Sequence, residues 1–146
     1  MPKPQPVDFT ACKRALKAAG VRFTDQRAAL WRFLYGRGDG ATIGQMSESL
    51  KHRGIGLTTV YRTIDLFQRL DLVNQIHSEQ GEHRYIIKEP GHTHPVVCTD
   101  CGQVRDIDIC LVGQLKEEIE KRLGYVVTSH SLELYGVCPG CREQSP

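Results

Sequence analysis

The sequence predicts an α+β protein made of two small domains, a helical cluster with a β-hairpin followed by a small α/β unit. Apolar residues recur at helical spacing in several stretches of the first half of the chain. Two C-x-x-C pairs, CTDC and CPGC, bracket the last third. The predicted domains are residues 1–89 and 90–146, with Pro90-Gly91 as a natural hinge.

Composition places the chain among ordinary globular proteins. It has 146 residues, of which 40% are hydrophobic and 25% are charged. No apolar run approaches the roughly 20 residues that a membrane-spanning helix needs. The start, MPKPQPVDF, has no apolar signal core, so we expect a cytoplasmic protein. A net charge of +2 excludes binding to nucleic acid by average charge alone, so any DNA contact needs a local basic surface.

Three short helices are expected first. Asp8 can cap the first helix, which stops at Gly20. Thr24 is a favourable N-cap for the second. Thr42 caps the third, and Gly54 ends it.

The fourth helix, in GLTTVYRTIDLFQRLDLV, separates an apolar face from a polar one. Thr58 is its expected cap. The apolar face carries Val60, Ile64, Phe67 and Leu70, at steps of four, three and three. The outward face is expected to carry Thr59, Tyr61, Arg62, Thr63 and Gln68.

A hairpin follows these helices, with LVNQIHS and HRYIIKE as strands around the turn SEQGE. Short helices followed by a hairpin give a winged helix-turn-helix outline, in which the polar face of the last helix suits a DNA groove. Helical clusters with a polar outer face are also common in other proteins, so the pattern alone leaves DNA binding open.

The second domain is expected to contain strands, one helix and a return strand. HPVVC and QVRDIDI flank a turn made by TDCG. LVGQLKEEIEKRLG is an amphipathic helix, and YVVTSHSLELYGVC reads as a long strand. The apolar stripe of the helix recurs every four residues, at Leu111, Leu115, Ile119 and Leu123.

The paired cysteines indicate a structural zinc site. Zinc in such sites takes four tetrahedral ligands, and two C-x-x-C turns supply four thiolates. The metal would join the last strand to the first; a redox dithiol is the alternative. Cys12 is expected to be a buried side chain, and Cys110 either a reactive thiol or a spare ligand. The predicted zinc ligands are Cys98, Cys101, Cys138 and Cys141.

The histidines suggest a second metal site, because four thiolates leave no position on the first ion. His92 and His94 stand two apart on a predicted strand, so their side chains point the same way and can share one ion. A site that joins hairpin and second-domain ligands would fix the orientation of the two domains. Solvated loop histidines are the alternative. Further candidate ligands are His77, Glu82, His83, Asp106 and His130.

Four motifs together resemble the ferric uptake regulator (Fur) superfamily, most closely its zinc uptake regulator (Zur) branch. They are FTDQR, TTVYRTI, HTHPVVCTDCG and SHSLELYGVCPGC, and the resemblance covers nearly the whole chain. It implies a homodimeric, metal-responsive transcriptional repressor that binds palindromic operators when its sensor metal is loaded. The C-terminal α/β domain would dimerise. The resemblance places DNA contacts at Arg27, Thr59, Tyr61 and Arg62, and structural zinc at the four cysteines.

Three departures from the family pattern bear on the sensed metal. Iron and manganese sensors carry a histidine near Gly40 or Ala41, and an acidic residue where this chain has Ile86. The histidine pair also lies one residue further from Cys98, with Pro95 as the apparent insertion. The first two departures favour a four-coordinate zinc sensor; an iron, manganese or peroxide sensor is the alternative. The expected sensor ligands are His77, His83, His92, His94 and Asp106.

Another site of the family, and two other classes of protein, are also considered. A third metal site of some relatives needs an acidic residue where this chain has Gly113, so it should be absent or altered despite His130. A zinc hydrolase could use His92, His94 and Asp106, but no general base or HExxH helix accompanies them, so no enzyme is expected. A pure zinc-ribbon interaction module would not need the TTVYRTI helix.

Overall fold

The computed structural model describes residues 6–77 and 81–144. The chain divides into two compact units, Met1–Lys88 and Glu89–Pro146. This division falls one residue before the boundary suggested by the sequence. Among the described residues, no helix combines the length and apolar character that crossing a bilayer requires.

The described residues of the first unit form four α-helices and a three-stranded antiparallel sheet in the order β1-β3-β2. A short 3-10 turn, Lys51–Arg53, follows the third helix. The helices are α1 (Thr10–Ala18), α2 (Asp25–Leu34), α3 (Ile43–Leu50) and α4 (Leu57–Arg69). The strands are β1 (Ala41–Thr42), β2 (Val73–His77) and β3 (His83–Ile87).

Side-chain caps mark the starts of α2 and α3. The N-cap of α1 is Phe9 and not the predicted Asp8, although the Asp8 carboxylate accepts the Thr10 N–H at 2.8 Å. Thr42 and Gln45 form a reciprocal capping box. Thr24 caps α2 as predicted. The prediction of Thr58 as the cap of α4 is wrong, because α4 begins at Leu57 after Gly56.

The earlier start of α4 comes from the backbone. The Gly56 carbonyl accepts the Val60 N–H at 3.1 Å, so helical hydrogen bonding is established before Thr58. Thr63 also differs from its prediction, since only 5% of it is exposed. It lies three residues after Val60 and four before Phe67, which places it on the inner face of the helix.

The apolar core of the described chain lies in the first unit. Phe67 is fully buried, and its ring meets the Trp31 ring edge to face, with centroids 5.8 Å apart. The Trp31 indole N–H donates to the Asp8 carbonyl at 2.8 Å, so the one polar atom of that ring is satisfied. Cys12 is buried here, as predicted.

Gly40 is sterically restricted. Its φ is +68°, and a Cβ at this position would lie 2.6 Å from the Tyr85 carbonyl oxygen. The strand β3 therefore leaves no room for a side chain at Gly40.

In the second unit, residues 89–144 are described and form one small sheet and two helices. Its sheet order is β5-β4-β6, with β4 antiparallel to β5 and parallel to β6. The strands are β4 (His94–Cys98), β5 (Val104–Ile107) and β6 (Leu134–Gly136). The helices are α5 (Val112–Leu123) and α6 (Pro139–Gln144).

The return strand is much shorter than predicted. Only Leu134–Gly136 of the YVVTSHSLELYGVC stretch pairs with another strand. Residues 124–133 form no strand, although Tyr125 and Val126 have strand character and are exposed. An apolar pattern becomes a strand only when a neighbouring backbone pairs with it, and the described chain supplies one only for Leu134–Gly136.

Candidate metal centres and nucleic-acid interface

The four predicted zinc ligands come together at one end of the small sheet. Cys98 ends β4 and Cys101 lies in the turn that follows; Cys138 comes after β6 and Cys141 lies in α6. The first turn is closed by a 2.9 Å bond from the Gly102 N–H to the Cys98 carbonyl. A 2.8 Å bond from the Thr99 N–H to the Gly136 carbonyl ties this turn to β6.

The geometry of these cysteines fits a tetrahedral zinc ion. Their sulfur atoms all lie within 4.8 Å of one another, and the Cys101 and Cys138 sulfurs are 3.9 Å apart. Zn–S bonds of about 2.3 Å in a tetrahedron place two sulfurs about 3.8 Å apart. Backbone N–H groups also donate to sulfur, from Cys138 to Cys98 at 3.3 Å and from Cys141 to Cys138 at 3.4 Å. Such donors orient thiolates toward a shared metal.

The electrostatics of the sulfur cluster also favour a cation. Backbone N–H groups of Cys101 and Cys138 lower the pKa of Cys98 to about 6, which favours its thiolate. The neighbouring Cys138 sulfur instead raises the pKa of Cys141 well above its usual range. Four thiolates at this spacing repel one another, and a divalent cation between them offsets that repulsion.

A second group of ligands lies in the same unit and combines three imidazoles with one thiol. Its ligand atoms also lie within 4.8 Å of one another. The His130 Nε2 is 3.1 Å from the His92 Nε2 and 3.5 Å from the Cys110 sulfur. The members are His92, His94, Cys110 and His130, which we call the His-Cys cluster.

The His-Cys cluster fits one four-coordinate ion as well. With Zn–N bonds near 2.05 Å and a Zn–S bond near 2.3 Å, tetrahedral geometry gives N–N separations of about 3.4 Å and N–S separations of about 3.6 Å. The Nε2 atom of buried His94 has no hydrogen-bond partner among the described residues. Burial, and then the neighbouring His92 and His94, lower the pKa of His130. A neutral imidazole is the form that binds metal.

This cluster contains only part of the predicted sensor set. His92 and His94 belong to it, whereas Cys110 and His130 were only alternative ligands. Cys110 takes the fourth position in this group, and the expectation that a third family site is absent or altered for lack of an acid at Gly113 stays a prediction. Cys110 lies three residues before Gly113, in the segment between β5 and α5. In the sequence, the one signal for this role of Cys110 is that no second cysteine lies near it to form a C-x-x-C pair.

The other predicted sensor residues lie outside both ligand groups of the described chain. His77 and His83 face each other across the β2–β3 hairpin, with ring centroids 4.8 Å apart. Gln75 Nε2 lies 2.6 Å from His83 Nδ1. Asp106 accepts the Glu89 N–H at 3.0 Å through one oxygen, while its other oxygen is buried without a partner in the described residues. Metal binding by His77, His83 and Asp106 stays a prediction.

The predicted DNA contacts lie on helices of the first unit. Tyr61 and Arg62 are exposed on α4, Tyr61 by 56%, and Thr59 is half-buried. The opposite face of α4 is buried in the core. Arg27 lies in the first turn of α2, where its guanidinium donates to the Arg22 carbonyl. The core therefore fixes which face of α4 is presented to solvent.

Comparisons with known proteins give the class of protein. The Ferric uptake regulator family profile matches residues 18–135. The zinc uptake regulation protein of Mycobacterium tuberculosis is 36% identical over 129 residues, covering 87% of this chain and 99% of that protein. The Vibrio cholerae ferric uptake regulator structure is 31% identical with a TM-score of 0.58, covering 87% of this chain and 99% of that one.

A zinc uptake regulator complexed with zinc and DNA has a TM-score of 0.77, covering 93% of each chain; at 20% identity this likeness concerns the fold alone. The chain belongs to the ferric uptake regulator family. It is a transcriptional regulator with the mixed helix and sheet fold of that family, and not an enzyme.

Proposed function

We propose that this chain is a zinc-responsive repressor, which binds palindromic operator DNA as a homodimer when its regulatory metal is loaded. The single observation that carries this proposal is the pair of separate ligand groups in the second unit, one of four sulfurs and one of three imidazoles and a thiol. Because the two groups have different ligand chemistry, we assign a structural role to one and a regulatory role to the other. Because its target is chromosomal DNA, we place the protein in the cytoplasm.

The four-cysteine site is assigned the structural role. It is a closed shell of four thiolates and connects β4 with the C-terminal helix α6. The His-Cys cluster is assigned the regulatory role. Three of its donors are neutral imidazoles and His92 is exposed, so its ion should exchange more readily.

The donor set favours zinc over iron or manganese as the sensed metal. Three nitrogens and one sulfur in tetrahedral arrangement suit zinc, whereas manganese prefers oxygen ligands. Neither Gly40 nor Ala41 is a histidine, and Ile86 is apolar where iron and manganese sensors of the family have an acid. The 36% identity to a zinc uptake regulation protein is consistent with this preference. An iron, manganese or peroxide sensor of the same family is the alternative.

The positive charge of the chain lies in the first unit, which favours binding of that unit to DNA. Met1–Lys88 contains fourteen lysines and arginines against eight acidic residues, a formal charge of +6. Glu89–Pro146 contains five against nine, a formal charge of −4. The modest total of +2 therefore hides a basic unit that matches the phosphate backbone. We propose that Thr59, Tyr61 and Arg62 enter the major groove and that Arg27 contributes from α2.

The second unit is proposed to dimerise through its exposed apolar residues. No residue of α5 is buried, although the helix has an apolar stripe. Exposed apolar groups of this extent mark an interaction surface, and a second copy is the partner that gives a twofold reader of a palindrome. The exposed residues include Leu111, Leu115, Leu123, Tyr125 and Val126.

A binding experiment on the full-length protein tests the proposal. Duplexes would be selected from a random library with zinc-loaded protein, and their affinity measured again after mild chelation that leaves one zinc per chain. We expect loss of affinity on chelation and recovery when zinc is added back. Equal affinity before and after removal of the exchangeable ion would refute metal-dependent repression. Recovery with iron or manganese but not zinc would refute the zinc assignment.

A further inference from the structure

We propose that Cys110 is a ligand of the regulatory metal and the residue that makes the His-Cys cluster selective for zinc-like ions over manganese and iron(II). This inference rests on the proposed regulatory role of the cluster only for its consequence in repression. The binding chemistry of Cys110 is a separate claim and can be tested without DNA.

The Cys110 side chain lies on the side of its segment that faces the three imidazoles. Cys110 lies in the segment after β5 and before α5, between two large apolar residues. Those neighbours, Ile109 and Leu111, are 64% and 74% exposed, whereas Cys110 is half-buried. Leu111 is part of the surface proposed for dimerisation, whereas the Cys110 sulfur lies toward the imidazoles, 3.5 Å from the His130 Nε2.

The distances are the second argument. The Cys110 sulfur lies 3.5 Å from the His130 Nε2, close to the tetrahedral N–S separation of about 3.6 Å. A simple thiol–imidazole hydrogen bond would account for these two residues alone. It would not account for His92 and His94, whose ligand atoms gather at the same point, or for the buried His94 Nε2 without a partner among the described residues.

The chemistry of sulfur is the third argument. Three imidazoles alone accommodate several divalent metals, and a fourth ligand decides among them. A carboxylate oxygen would suit manganese, whereas a thiolate favours zinc. Gly113, where relatives carry an acid for their third site, offers no side-chain ligand. Cys110 therefore changes the donor class at this site.

Cobalt(II) is the probe for a spectroscopic test, since a Co–thiolate bond gives a near-ultraviolet charge-transfer band and tetrahedral Co(II) gives intense visible bands. Full-length protein that retains one zinc per chain would be titrated with cobalt(II). We expect the charge-transfer band in the wild type and its loss in Cys110→Ser. Cys12→Ala is the matched control, because Cys12 lies in the core of the first unit and should leave the band unchanged.

Competition measurements give the affinity. We expect Cys110→Ser to lose more than about 100-fold in zinc affinity, because even outer-shell changes cost roughly 10–100-fold. In Cys110→Asp the preference for zinc over manganese should narrow. A charge-transfer band that persists in Cys110→Ser would overturn the proposal, as would unchanged zinc affinity. If Cys110 binds the ion but loading leaves DNA affinity unchanged, the proposed function fails while the ligand assignment holds.

Discussion

Each of the two units of this chain is stabilised by a different kind of interaction. In the first unit, helices and sheet enclose a continuous apolar core that includes Phe67, Leu30 and Met46. In the second, α5 buries no residue, and the few buried positions lie along β4 and at Val104. A unit of 58 residues with so little buried apolar area needs another source of stability, and two metal-ligand groups lie within it.

This difference connects stability with regulation. A unit that folds on an apolar core should be insensitive to metal supply, so we expect α4, the proposed DNA-contacting helix, to keep its shape with or without zinc. A unit whose order depends on metal responds to it, because binding to the native state stabilises that state by mass action. We therefore expect metal to act on the second unit and its dimer, and only through them on DNA affinity.

The largest effect is expected from Cys98→Ser. Structural zinc contributes roughly 10 kcal/mol or more of apparent folding free energy in small zinc domains. Loss of one thiolate should lower the structural zinc count and unfold or monomerise the second unit. Zinc analysis, sizing by light scattering and hydrogen exchange would measure these changes. The first unit should stay protected from exchange. A folded dimer with a full zinc count would contradict the structural role of this site.

Phe67→Ala tests whether the first unit is stabilised by its apolar core and not by metal. Removing a fully buried phenylalanine should lower the free energy of unfolding of the first unit by about 3–5 kcal/mol. Zinc content should not change, because the four-cysteine site lies in the second unit. Urea unfolding followed by Trp31 fluorescence reports on this core. Tyr61→Ala, on the exposed face of the same helix, is the control and should shift stability by less than about 0.5 kcal/mol.

The double substitution of His92→Ala and His94→Ala should separate regulation from folding. We expect the protein to remain a folded dimer with its structural zinc, while its DNA affinity no longer changes on metal addition. The lost coupling is about 1–3 kcal/mol, typical of allosteric linkage. Fluorescence anisotropy with operator duplex, with and without added zinc, measures it. Collapse of the dimer would show that these histidines are structural instead.

Local signals in the sequence predicted local structure well. The Thr24 and Thr42 caps and the buried face of α4 follow from short-range chemistry that any fold must satisfy. The four cysteines were equally readable, because each C-x-x-C turn presents its two sulfurs together before the fold forms. The α4 start was misplaced because a glycine backbone, with no side-chain signal, set it.

Features that depend on tertiary contacts could not be predicted from local sequence patterns. Thr63 is buried by the packing of its neighbours, although its own chemistry suggests a surface position. Cys110 and His130 are 20 residues apart, and only the path of the chain around α5 brings their side chains within 3.5 Å. The sequence shows which residues can bind metal, whereas the fold decides which of them meet.

The smallest of the expected effects concerns the proposed DNA-binding surface of α4. Arg62→Ala should weaken operator binding by about 1–3 kcal/mol and leave both stability and zinc content unchanged, because the side chain is exposed on α4 and forms no ion pair with another described residue. Arg69→Ala is the matched control. Arg69 lies at the end of the same helix and pairs with Asp65 at 3.1 Å, so its loss should change operator affinity far less. Anisotropy titrations at several salt concentrations would compare the two variants. Equal operator affinity in wild type and Arg62→Ala would mean that α4 does not enter the groove, and the basic first unit would then have to contact DNA through another surface.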